Sequence, residues 1–263
     1  MASRSRAKAR FDSRPMRTAL LLAAALALTG CAREQQVHYP LKSDAKPHPA
    51  VARAHTLPVH GIDVSKWQGK IDWMAVREAG TQFAFIKATE GGDHLDERFH
   101  ENWAGARAAG VPRGAYHFVY WCRPAHEQAM WFKRNVPNDR DALPPVLDLE
   151  WNGHSRTCPR KVPRAVALEK IRLLLAEMEA HTGKRPIIYT DITFHKDVLE
   201  GEFPHHHFWL RSVAAEPHER YAGRRWKMWQ YTTTGRVPGI RGDVDRNVYF
   251  GTKTQWLQFL QSL

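Results

Sequence analysis

Long apolar runs, cysteines and metal-ligand clusters are all scarce in this 263-residue sequence. The apolar stretch near the N-terminus, Thr18 to Gly30, is thirteen residues long. A helix needs ~20 to cross the hydrocarbon layer, which argues against a membrane-spanning anchor. Only three cysteines occur, Cys31, Cys122 and Cys158, so at most one disulfide can form within the chain. The one dense histidine cluster is His205-His206-His207. Consecutive residues on an extended chain point to opposite sides, so the three cannot readily share an ion. The triplet reads as an exposed loop, a metal-dependent hydrolase is disfavoured, and no metal or cofactor is expected. Acidic residues are in the minority, 27 against 39 Lys and Arg, for a formal charge of +12. Such a balance suits a polyanionic partner through long-range attraction without saying which one.

What is present at the N-terminus is more specific. Arg4, Arg6, Lys8, Arg10, Arg14 and Arg17 precede the apolar run, the pattern of a secretory signal peptide over residues 1–30. The run ends Leu28-Thr29-Gly30-Cys31, which resembles the bacterial lipobox, where the Cys is lipidated and becomes the first mature residue. The expectation is an exported lipoprotein held to the membrane through Cys31 and facing the periplasm or the cell exterior. Residues 31–263 then carry 33 basic and 26 acidic residues, a net +7. With Cys31 lipidated, Cys122 and Cys158 remain as an even pair in an oxidising compartment, and a disulfide between them is expected. Residues 31–58, with Pro40, Pro47, Pro49 and Pro58 among scattered charges and no apolar periodicity, read as a flexible tether. Residues 59–263 read as one domain, since α/β barrels of ~250 residues fold as single units.

In that domain short apolar runs alternate with helical patterns, the mark of βα units around a parallel sheet. Strands are expected near 61–64, 83–88, 114–120, 145–150, 186–190, 208–213, 227–232 and 244–250. Helices fit near 73–79, 98–109, 124–135, 163–182 and 194–199. The longest of these carries Val166, Ile171, Leu174, Leu175 and Met178 on one stripe and closes at Gly183. After Phe208 the strands come too close together for full helices, so a regular eight-fold barrel is not expected.

The sharpest local signal is Pro144-Pro145-Val146-Leu147-Asp148-Leu149-Glu150-Trp151, an apolar strand ending in two carboxylates one residue apart. Alternation puts both on one face. Mutual repulsion and burial would raise at least one pKa and give the protonated acid that glycoside cleavage requires. Taken alone, the pair also fits a solvated strand end or a metal site. Asp63 closes the first strand and Asp245 lies in the last, and those strands adjoin in a closed barrel, so four carboxylates can converge on one rim. Barrel enzymes place their chemistry at the C-terminal strand ends, where Tyr116, Tyr189, Trp209, Trp229 and Gln230 also fall. Aromatic faces suit sugar C–H groups, although any single ring is as readily core filling. Lys87 and Glu90 are either site residues or an internal ion pair.

The motifs together resemble one family. His60-Gly61-Ile62-Asp63-Val64-Ser65-Lys66-Trp67-Gln68-Gly69 with Ile71-Asp72-Trp73 is similar to the opening signature of the family 25 lysozymes. The similarity continues through Phe85 to Gly91, Gly114 to Phe118, Asp148-Leu149-Glu150, Pro186 to Thr190, Trp229-Gln230-Tyr231 and Val244-Asp245-Arg246-Asn247. The resemblance implies an irregular TIM-like α/β barrel of five βα units followed by three strands. It implies a muramidase cutting the β-1,4 bond after N-acetylmuramic acid, with peptidoglycan glycan strands as partner, no nucleic acid, and a monomer. Glu150 matches the general acid, and Asp148, Asp63 and Asp245 match the other acidic residues. Tyr116, Tyr189, Trp209, Gln230 and Trp67 are expected to bind substrate. Retaining pairs sit ~5–5.5 Å apart and inverting pairs farther; a third route, substrate-assisted retention in which the acetamido group attacks and Asp148 stabilises the cyclic cation, is the one expected, since Asp-x-Glu resembles the pair in other acetamido-sugar hydrolases. A wall-binding lipoprotein that kept the cleft but lost the reaction is the alternative.

Overall fold

All eight expected strands form, and they close on one another. The computed structural model describes residues 44–263. Its strands are β1 (His60–Val64), β2 (Phe83–Glu90), a two-residue β3 (His94–Leu95), β4 (Arg113–Phe118), β5 (Val146–Leu149), β6 (Ile187–Thr190), β7 (Phe208–Arg211), β8 (Met228–Gly235) and β9 (Val244–Tyr249). Their order is β1-β9-β8-β7-β6-β5-β4-β2, and pairing of β1 with β2 completes an eight-stranded barrel, with β3 appended to β2. Barrel neighbours run parallel from β1 through β8, whereas β9 is antiparallel to both β8 and β1.

Helices α1 (Trp73–Glu78), α2 (Phe99–Ala108), α3 (Ala125–Asn135), α4 (Arg164–Thr182) and α5 (Ile192–Phe194), the last running into a π-helical turn His195–Leu199, provide the crossovers. Beyond β7 only the four-residue α6 (Pro217–Arg220) intervenes, β8 leads to β9 without a helix, and α7 (Lys253–Gln261) follows. Five βα units and three strands make the irregular barrel that the resemblance implies, and the late strands lack full helices as their spacing predicts.

Strand alternation sorts the side chains into two cores. Phe83, Phe85, Val146, Ile187, Tyr189, Trp209, Met228 and Tyr249 pack together with Trp256 and Phe259 of α7. The opposite parity, including Ala84, Ile86, Leu147, Leu149, Ile188 and Leu210, packs among residues of the surrounding helices. Gly61 and Gly114 make room for the aromatic filling, because a Cβ there would fall 2.4 Å and 2.7 Å from the rings of Phe83 and Phe85. On α4 the buried stripe is Ala167, Leu168, Ile171, Leu174, Leu175 and Met178. Val166, expected within it, is 38% exposed, one position off the line that steps by three and four residues. The helix ends as expected at Gly183, whose φ of 68° is the left-handed conformation glycine adopts without strain.

The N-terminal flank departs from expectation. A 3-10 helix, Pro49–Thr56, buries Val51 and Ala54 completely against Trp229, Tyr231 and Val248. Asp44 forms a bridge with Gly235 and accepts hydrogen bonds from Thr234 Oγ1 and the Lys46 amide. The flexible tether expected through residue 58 is therefore corrected for residues 44–58, which lie against the barrel. Two apolar anchors in an eight-residue helix are too few to give a periodic signal, and proline suits a helix's first turn as well as a linker. The signal peptide and Cys31 lie outside the described residues. Among the described residues no helix is long and apolar enough to cross a membrane.

Cys122, just after β4, and Cys158, in the loop after β5, form the expected disulfide, their Cα atoms 5.5 Å apart. Closing a loop over a separation of 36 residues stabilises by about 3–4 kcal/mol on the chain-entropy account. Reduction should therefore lower the melting temperature by about 6–16 °C, at the ~2–4 °C per kcal/mol usual for this size. Calorimetry with and without reductant measures it, and an unchanged transition with both thiols titrated free would contradict the expectation.

Candidate active site

The reversed direction of β9 decides where the acids meet. Because β9 runs antiparallel, its beginning lies at the rim formed by the ends of the parallel strands, and Asp245 stands opposite Asp63 in the ladder. Asp148 is near the end of β5 and Glu150 just past it. These four carboxylates line one cleft of about 240 Å³ together with Trp67, Tyr116, Tyr189, Trp209 and Gln230. The four expected acids and the five expected substrate-binding residues thus share a cavity.

They do not play equal parts in it. Gln230 Nε2 donates to Asp63 Oδ2 at 2.9 Å and to Asp245 Oδ2 at 3.2 Å, while its carbonyl accepts from the Tyr189 hydroxyl at 2.9 Å. Asn247 Nδ2 donates to Asp63 Oδ2 at 2.7 Å and its carbonyl accepts from Trp209 Nε1 at 2.7 Å. Tyr189, Trp209 and Gln230 are almost wholly buried, so their polar atoms are committed to holding the acids. Tyr116 is half-buried, and Trp67, 81% exposed, stands at the mouth with Lys66 Nζ 5.4 Å from the centre of its ring. Trp229 is absent from the cleft: alternation turns it outward, where it packs on Val51 and Ala54 and donates to the Ser212 carbonyl at 2.7 Å.

Burial shapes the charges. Desolvation and the neighbouring Glu150 charge push Asp148 well above the usual carboxylate range. Desolvation, then the field of Asp191, raises Glu150 to about 7. Both shifts favour keeping a proton on the pair. Asp245 is raised to about 8 by desolvation and by the adjacent Asp63. Asp63 is also raised by burial, against the hydrogen bonds from Asn247 and Gln230. Arg211 and Lys87 oppose these shifts at Glu150. Lys87 answers both readings: it pairs with Glu90, lies 5.1 Å from the centre of the Phe118 ring and lines the cleft. Oδ1 of Asp148 is buried without a hydrogen-bond partner among the described residues.

The backbone beyond the acid is fixed from the side. Trp121 Nε1 donates to the Glu150 carbonyl at 2.6 Å. Asn152 accepts from the Trp121 amide at 3.0 Å and donates to the Val119 carbonyl at 2.9 Å, and the disulfide joins the same two loops. Trp121, Asn152, Asn247, Arg211 and Asp191 were not singled out from the sequence. Asn247 had a legible signal, two residues after Asp245 and so on its face; the others act across loops that spacing does not join. His205 and His207 are exposed ahead of β7, at the far end of the barrel. No group of residues suited to holding a metal occurs among the described residues.

Residues 62–240 match the family model described as glycosyl hydrolases family 25. The chain belongs to glycosyl hydrolase family 25. The matched span takes in Asp63, Asp148 and Glu150 and ends just before Asp245. The family 25 chain is 36% identical over 222 residues to lysozyme M1 of Streptomyces globisporus, covering 79% of this chain and 73% of that one. It is 37% identical over 229 residues to the uncharacterized protein YegX of Escherichia coli K12, covering 85% and 79%. A family 25 glycosyl hydrolase structure from Bacillus anthracis superposes with a TM-score of 0.72 at 32% identity, over 82% of this chain and 98% of that one. This is a glycoside hydrolase of the lysozyme type.

Proposed function

We propose that this family 25 enzyme hydrolyses peptidoglycan at the β-1,4 bond between N-acetylmuramic acid and N-acetylglucosamine, with retention of configuration by substrate assistance. The observation that carries the reading is the Asp148–Glu150 pair at the end of β5, with Asp148 buried, Glu150 half-buried in the same cleft, and Asp148 Oδ1 without a hydrogen-bond partner among the described residues. Glu150 gives its proton to the glycosidic oxygen as the C1–O bond breaks. The acetamido carbonyl oxygen attacks C1 from the other face, and the ionised Asp148 accepts the acetamido N–H and offsets the positive charge of the cyclic intermediate. Water then opens that ring, with Glu150 taking its proton back. Asp63 and Asp245, held by Gln230 and Asn247, keep the rim acidic opposite this pair. Mass spectrometry of digested peptidoglycan tests the bond: reducing muramic acid ends support the reading, reducing glucosamine ends overturn it, and anhydromuramic ends mean a lytic transglycosylase.

By the same reading the enzyme acts outside the cytoplasm as a monomer anchored through lipidated Cys31; the basic stretch and apolar run that end in Leu28-Thr29-Gly30-Cys31 support the export and the anchor. Cys31→Ser should move the protein from the membrane fraction to the soluble one while activity on soluble murein stays unchanged. Membrane association that survives the substitution would mean that the N-terminal segment itself is retained as the anchor.

A further inference from the structure

A second groove, of about 1030 Å³, lies beside the cleft and shares Trp67 and Gln68 with it. Its lining is mostly apolar, with Ile71, Trp73 and Ala109 nearly buried and Met74 56% exposed. Lys70 and Arg241 also line it. Both are exposed, and neither forms an ion pair among the described residues. Nearby cations differ in this respect: Lys66 pairs with Glu97 and Arg236 with Asp243. The one carboxylate in the groove, Asp72, is engaged as the N-cap of α1, accepting from the Met74 and Ala75 amides at 3.1 Å each. Two unneutralised cations therefore stand over an apolar hollow.

The groove is preformed. The turn that separates it from the cleft is closed by Gln68 Oε1 accepting from the Ser65 amide at 2.9 Å and tied to the loop before β9 by Gln68 Nε2 donating to the Asp243 carbonyl at 3.4 Å. Its two sides are tied by the Asp72 amide donating to the Gly239 carbonyl at 2.9 Å. Gly239 has φ +93°, and a Cβ there would lie 2.4 Å from the Asp72 carbonyl, so only glycine allows this approach.

We propose that this groove seats the stem peptide of the muramic acid bound at the cleavage point. The proposal rests on the muramidase reading of the cleft and extends it from sugar to peptide. A muramic acid unit carries on its lactyl group a short peptide of small apolar side chains and free carboxylates. A cleft that accepts the sugar must let that peptide leave alongside. The contiguous groove offers apolar contact for the methyl groups, Lys70 and Arg241 for the carboxylates, and the exposed Trp67 ring at the junction. Its volume lies just above the ~300–1,000 Å³ usual for small-ligand sites, roomy enough for a short peptide.

The test compares purified glycan strands bearing stem peptides with the same strands stripped by an amidase, using the full-length enzyme. Wild type is expected to show kcat/KM about 5- to 10-fold higher on stem-bearing strands, the scale of two partly exposed charge contacts. The advantage should shrink as salt rises. Lys70→Glu with Arg241→Glu should abolish it while leaving the rate on stripped strands unchanged, which also reports that the variant folds. Equal rates on both substrates for wild type, or an advantage insensitive to both salt and substitution, would overturn the proposal. Failure of the muramidase reading looks different: neither strand would yield reducing muramic acid ends.

Discussion

Glu150→Gln is expected to slow hydrolysis of native murein by about 10²- to 10⁴-fold, the range lost with a general acid. The amide keeps the shape of the side chain, and the Trp121 bond that fixes this position goes to the Glu150 backbone carbonyl, so the loss falls on chemistry rather than folding. A substrate with a good leaving group needs little protonation and should escape much of it. The pH profile carries the same signature. A buried acid raised to about 7 holds its proton below that pH and loses it above, so the wild-type rate should fall with rising pH through about 7. The Gln variant has nothing to titrate there and should lack that limb. Near-wild-type activity in the variant, or an unchanged limb, would remove Glu150 from the role.

The parts of the fold that could be read from the sequence are those where one strand face is wholly apolar. The pattern in Val146-Leu147-Asp148-Leu149 can only be a short strand, and it forms as Val146–Leu149. What escaped were elements held by a few large contacts. Helix α7 is fixed by Trp256 and Phe259, while Leu257 between them is 57% exposed, so its stripe is too sparse to stand out. The segment Pro49–Thr56 rests on Val51 and Ala54 alone. In both cases tertiary burial, not local periodicity, makes the helix.

The site was legible wherever alternation along one strand sufficed, as for Asp148 and Glu150 or Asp245 and Asn247. It became harder where two strands had to be placed relative to each other. Gln230 and Tyr189 are 41 residues apart and were both read as sugar-binding, yet they satisfy each other in the layer beneath the acids. Trp229 illustrates the period-two rule from the other side: as Gln230 faces inward, its neighbour must face out. Arg211 ends a four-residue strand, too short for its pattern to say which face its charge would reach.

Asp148→Asn should remain slow, by about 10²- to 10³-fold, even on a substrate whose leaving group needs no proton; this is the scale of losing one charge-stabilising group in a shielded site. The reason lies in the unpartnered, buried Oδ1 of Asp148. In the free enzyme burial and Glu150 hold Asp148 protonated above the usual range. An acetamido N–H donated to Oδ1 favours the ionised form, leaving the shared proton with Glu150, where the leaving group needs it. On the proposed mechanism, substrate binding thus sorts the two carboxylates into acid and anion. Asparagine can still accept the N–H, but it brings no charge to offset the cyclic cation, so the second half of the reaction stays impaired whatever the leaving group. A thiazoline mimic of that cation should inhibit wild type and bind the Asn variant weakly. Proton NMR of the first product decides the matter: the β-anomer is expected, because the ring closes on one face and water opens it on the other. An initial α-anomer would mean direct attack by water, with Asp148 or another acid of the rim acting as base.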